Sequence, residues 1–133
     1  MGKKMEKRTI HVVSAAIERE GCYLITQRQE KAVFPLLWEF PGGKMEEGES
    51  HESALVRELK YRLGVDATVN ALISETQRSY PNYDIVLYLM SCTIGDQEPQ
   101  ALSVRDLKWV ASDDMGSYDF VPADEASMDK LLG

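Results

Sequence analysis

Gly42-Gly43-Lys44-Met45-Glu46-Glu47-Gly48-Glu49-Ser50-His51-Glu52-Ser53-Ala54-Leu55-Val56-Arg57-Glu58-Leu59-Lys60-Tyr61-Arg62-Leu63-Gly64-Val65 reads as a carboxylate-rich glycine loop running into a helix. Gly42 and Gly43 allow backbone conformations that side chains discourage. Ser50 is a good N-cap, and Ser53 offers another one turn later. Glu52 suits the positive end of the helix dipole. Ala54, Leu55, Leu59 and Leu63 form an apolar stripe at three- and four-residue spacing. Gly64 stands where a left-handed cap ends a helix. The pattern predicts a helix over 50–63. Glu58, Tyr61 and Arg62, at i, i+3 and i+4, are expected to share one face beside the preceding loop.

This stretch resembles the Nudix box: Gly, five residues, Glu, seven residues, then Arg-Glu-apolar-x-Glu-Glu-x-Gly-apolar. Gly43, Glu49, Arg57-Glu58-Leu59 and Gly64-Val65 fall into that frame without insertion. The flanking Trp38-Glu39-Phe40-Pro41-Gly42-Gly43 is similar to the MutT and CTP-pyrophosphohydrolase branch. The departure is at the two later glutamates, which are here Tyr61 and Arg62. The resemblance implies hydrolysis of a nucleoside diphosphate linked to another group, with magnesium or manganese held by oxygen ligands. It makes Glu58 and Arg57 the catalytic candidates, and Gly43 and Glu58 the surviving metal ligands.

Arg62 puts a positive charge where the family places a metal-binding carboxylate, and Coulomb repulsion opposes a cation there. Three readings stay open. Glu58 and Arg62 form an i, i+4 pair that only supports the helix, worth about 0.3–0.5 kcal/mol on a surface. Alternatively, Arg62 is a tethered cation that holds a phosphate directly, since a guanidinium matches phosphate oxygens. In the third, a rearranged metal site draws on Glu46, Glu47 or Glu49.

Other properties bound the answer. A length of 133 residues suits one domain, expected over 9–133 after a flexible 1–8. The 44% hydrophobic content is enough for a core. A net charge of −7 argues against non-specific nucleic-acid binding. Cys22 and Cys92 lack zinc-site spacing and read as reduced, buried hydrophobes. No apolar run reaches membrane-spanning length, and no signal core follows Met1 to Arg8. A cytoplasmic monomer or homodimer with a nucleotide ligand is the expectation.

Along the chain, residues 9–17 predict a strand covered on both faces. Glu20-Gly21 is a turn, and Cys22 to Gln27 returns as a hairpin. Trp38-Glu39-Phe40 is short and strand-like. Ala67 to Gln77 and Tyr83 to Ile94 predict a long hairpin about Pro81-Asn82. Leu107 to Val110 is a further strand, and Ser112 is expected to cap a short turn. Pro122-Ala123-Asp124 opens a final helix to Leu132. By resemblance, Arg28, Phe40, Lys44, Arg78 and Asp124 are substrate-binding candidates, with Arg62 beside them. A further family metal ligand falls at Ser103, for which Asp106 or Glu98 could substitute.

The resemblance, spanning nearly the whole chain, implies an α/β fold: a Nudix α/β/α sandwich with a mixed sheet between helices. Two functions follow. In one, the domain binds a nucleoside di- or triphosphate with hydrolysis impaired or absent, and needs no metal. In the other, it is an active, magnesium- or manganese-dependent pyrophosphohydrolase of the 8-oxo-dGTP or CTP type with a rearranged site.

Overall fold

The computed structural model describes residues 7–124. Its strands are β1 (Arg8–Arg19), β2 (Cys22–Gln27), β3 (Trp38–Glu39), β4 (Gly42–Lys44), β5 (Thr68–Ser79), β6 (Tyr83–Thr93) and β7 (Asp106–Ala111). One helix, α1 (His51–Leu63), follows the glycine loop, and a 3-10 turn spans Ser112–Ser117. Pro122–Asp124 begin a helical turn; the rest of the helix expected to Leu132 lies outside the described residues, as does most of the N-terminal segment.

The mixed sheet runs β3-β2-β1-β6-β5, with β4 added against β1 and β7 against β2. Its centre is a parallel β1–β6 pair in register from Arg8 opposite Tyr83 to Ile17 opposite Cys92. The expected β5–β6 hairpin forms across Pro81-Asn82, with register shifts after Val69 and Leu72. The β1–β2 turn carries positive φ at Glu20 (51°) and Gly21 (79°), the primed geometry that suits strand twist. Beyond that turn β2 pairs along its length with β7.

Alternation along β1 divides the interior. Val13, Ala15 and Ile17 pack with Leu24, Val86 and the Ala54, Leu55, Leu59 and Leu63 stripe of α1. Ala16 faces a second cluster with Ile25, Trp38, Phe40, Leu89, Val110, Met115 and Phe120. Both faces of the central strand are therefore covered, as its apolar run implies.

The helix boundaries follow their caps. Ser50 Oγ accepts from the Ser53 N–H at 3.1 Å, and Ser53 Oγ accepts from the Ser50 N–H at 3.1 Å. Ser53 thus completes a capping box and is not a separate N-cap. Gly64 closes the helix at φ 70°, donating to the Lys60 carbonyl at 3.0 Å. Ser112 caps nothing: it lies inside the 3-10 turn, Ala111 holds the N-cap position, and no side-chain cap bond forms.

Leu59 is fully enclosed between α1 and the sheet. Leu59→Ala is expected to cost about 2–5 kcal/mol, the range for truncating a buried leucine, read from the urea midpoint.

Candidate functional site

A cavity of about 570 Å³ opens on the β1–β6 pair. Ile10, Val12 and Ser14 of β1 and Tyr83, Ile85 and Leu87 of β6 line it, the alternate residues of each strand. Val13, Ala15, Val86 and Tyr88, between them in register, belong to the core on the other face. The remaining lining comes from Val33 and Phe34, Glu39, Gly42 to Lys44, Glu58 and Arg62 of α1, Tyr80, and Val121 to Asp124.

Glu58 is a tightly held carboxylate in this lining. It is 6% exposed. Arg62 Nε donates to its Oε2 at 3.1 Å, and Arg57 Nη1 lies 3.4 Å from its Oε1. Gly43 packs directly on it, and a Cβ there would overlap the carboxylate. The Glu58–Arg62 pair is therefore enclosed rather than a surface pair. Tyr61 is 65% exposed and lies outside this lining, contrary to the expectation that it shares the site face. Helix geometry explains this: at about 100° per residue, i+3 and i+4 diverge to opposite sides of residue i.

Arg57 is the clamp of the loop. Its Nε and Nη2 hold Glu49 at 2.7 and 2.9 Å, and Nη2 also donates to the Lys44 carbonyl at 3.0 Å. The bonds from Arg57, with the Glu46 N–H donating as well, hold the Glu49 carboxyl down to about 2. Glu46, Glu47 and Glu49 line a separate shallow depression.

On the other wall, Arg28 Nη1 bridges both oxygens of Glu39 at 3.1 and 3.2 Å, and its Nε donates to the Val33 carbonyl at 2.6 Å. Burial raises the Glu39 pKa, against the opposing pull of Arg28 and Arg62. Asp124 is 2% exposed, and its Oδ2 accepts from the Phe40 N–H at 2.7 Å. Burial, reinforced by Glu39, pushes the Asp124 pKa well above the usual carboxylate range.

Among the expected residues, Arg28, Gly43, Lys44, Glu58, Arg62 and Asp124 meet in one cavity. Phe40 does not: it is 1% exposed and packs against Phe120 in the core. Strand alternation puts Trp38 and Phe40 on the core side and turns Glu39 to the cavity. Arg78 shares the face of its partner Ile85 but sits exposed on the outermost strand, outside the lining. Ser103 and the two acids considered as its substitutes are also outside. Asp106 is exposed and accepts from the Leu107 N–H, and Glu98 pairs with Arg19 at 3.2 Å.

Sequence reading missed Glu39 and the aromatic group of Phe34, Tyr80 and Tyr83. Tyr80 and Tyr83 stack at 5.1 Å across the Pro81-Asn82 turn, and Phe34 tilts against Tyr80 at 5.9 Å. The Tyr80 hydroxyl is buried without a partner among the described residues. Tyrosines flanking a turn were the available signal.

The NUDIX domain family matches residues 12–130. The chain belongs to the Nudix family. It is 38% identical over 117 residues to the CTP pyrophosphohydrolase of Escherichia coli, covering 88% of this chain and 87% of that protein. It is 35% identical to the 8-oxo-dGTP diphosphatase of Haemophilus influenzae, covering 96% and 95%. The solution structure of the E. coli ORF135 protein superposes with a TM-score of 0.82 at 35% identity, covering 95% of this chain and 90% of that one. A MutT Nudix hydrolase from Burkholderia pseudomallei has the same fold, with a TM-score of 0.85 at 23% identity over 94% and 99%. These likenesses bear out the α/β Nudix architecture, with a MutT-type sheet.

Nudix hydrolases generally use a divalent metal. The residues of this site fit one poorly. Both Glu58 oxygens are engaged by guanidiniums, Glu39 is bridged by Arg28, and Glu49 is spent on Arg57. Among the described residues no three acids, histidines or cysteines group to hold an ion. Hard cations take about six or more oxygens.

Asp124 supplies a test of this electrostatics. Its folded pKa lies above the unfolded value of 3.8, so the folded state binds the extra proton and stability falls as pH rises through that value. Asp124→Asn keeps an acceptor for Phe40. It is expected to flatten the pH dependence above about pH 4 and to stabilise the protein at pH 7, measured by urea unfolding across pH.

Proposed function

We propose that the cavity binds a nucleoside triphosphate and that the chain hydrolyses it to nucleoside monophosphate and pyrophosphate. One observation carries the reading: Arg28, Lys44 and Arg62 line the same cavity as the aromatic group of Phe34, Tyr80 and Tyr83. Tyr83 pairs with Arg8 and Lys44 with Val12, so the aromatic and cationic ends lie about four residues apart along β1, roughly 13 Å. That separation suits a base and its phosphate chain. Base stacking on aromatic rings is worth about 1–3 kcal/mol per base. The names of the relatives support the substrate class, since both act on nucleoside triphosphates.

The residues suggest how the chemistry would proceed. A phosphate oxygen competes with Glu58 for Arg62. As Arg62 turns to the phosphate, Glu58 Oε2 is released to accept a proton from water. The water oxygen then bonds to phosphorus, and the bridging P–O bond breaks to release pyrophosphate. Arg57 and Gly43 keep Glu58 aligned throughout.

A second reading has its own observation. The Glu58–Arg62 ion pair and the shortage of free carboxylates favour a domain that binds nucleotide and hydrolyses it weakly or not at all.

Incubation with CTP, dGTP and 8-oxo-dGTP in magnesium or manganese, with pyrophosphate assayed, tests the pair. Turnover of about 1 s⁻¹ or more with at least one nucleotide is the expected result, that being the low end of ordinary enzyme rates. Binding without turnover on the whole set would establish the second reading. In parallel, Arg62→Glu is expected to raise Mg²⁺ affinity by calorimetry, because it frees Glu58 Oε2 and adds a carboxylate to the cavity lining.

A further inference from the structure

Arg62 is poorly explained as a mere helix brace. A surface pair needs no cavity, yet this guanidinium lines one beside Gly43 and Lys44. It spends Nε on Glu58 and its charge also reaches Glu39, but no hydrogen bond from Nη1 or Nη2 is found among the described residues. A guanidinium has five N–H donors, so most of its donor capacity remains to meet a ligand. Its side chain is 28% exposed, open enough to be reached and enclosed enough to interact strongly. Lys44 adds charge to the same lining, and Arg28 lines it too, paired with Glu39.

We propose that this cavity binds polyphosphate through Arg62 itself, without a divalent cation, the guanidinium occupying the place of the ion that the resembled box would hold. The proposal rests on the nucleotide reading above for the identity of the ligand, but not for its own chemistry. Guanidinium and phosphate match in planar, two-pronged geometry. Before a ligand arrives, Glu58 holds Arg62 in the lining, as Arg57 and Gly43 hold Glu58.

The test is calorimetry with inorganic triphosphate and with CTP and dGTP, each in excess EDTA and again in excess MgCl₂. Triphosphate and at least one nucleotide are expected to bind in EDTA with affinity within about threefold of that in MgCl₂. Arg62→Gln, checked for folding by its thermal midpoint, is expected to weaken binding in EDTA by roughly tenfold or more, the loss of one charged hydrogen-bonding group. Arg62→Lys, which keeps the charge but not the fork, should fall between. Arg62→Glu should abolish binding in EDTA and restore it only with Mg²⁺.

Binding that requires Mg²⁺ in the unaltered protein would overturn the proposal and leave the nucleotide reading standing. Binding in EDTA that ignores Arg62→Gln would overturn the assignment to Arg62. Triphosphate binding in EDTA with no nucleotide bound would instead sink the nucleotide reading and leave this proposal intact. No binding of either ligand would sink both.

Discussion

Glu58 is a carboxylate held between two guanidiniums with a glycine against its back. Burying a charge costs several kcal/mol unless it is paired and hydrogen-bonded. Arg57 and Arg62 supply the pairing from the same helix, and Gly43 supplies the space. Much else depends on this knot. Arg57 also ties down Glu49 and the Lys44 carbonyl, so the glycine loop takes its shape from the same side chain. The wall of the cavity and the loop before the helix are thereby coupled.

The knot is carried by a strand that works on both faces. β1 gives Val13, Ala15 and Ile17 to the helix side and Ile10, Val12 and Ser14 to the cavity. β6 repeats the alternation alongside it. A period-two backbone separates core from site without added structure. The cost falls on residues that cross between them. Asp124 and Glu39 are acids drawn into the interior, and burial raises both of their pKa values.

Membership of the Nudix family does not by itself carry the family's chemistry, because function lives in the site rather than the fold. Here the scaffold, the glycine against Glu58 and the loop clamp are intact, while the acids around them are committed to arginines. The relatives are named as hydrolases; in this chain Glu58 is paired with Arg62.

Local matters were legible in the amino-acid order. Ser50, Gly64 and the leucine stripe marked the helix because caps and periodicity act over a few residues. The box spacing found Gly43, Glu58 and Arg62 for the same reason. What only the tertiary structure decided was direction. Trp38-Glu39-Phe40 needed its packing partners before alternation could say that Glu39, not Phe40, faces the cavity. Arg78 lost its place to Tyr80 and Tyr83 because the outermost strand carries it beyond the rim. The cavity itself arises from the parallel pairing of β1 with β6, two segments far apart in the chain, and no short-range pattern encodes a contact of that length.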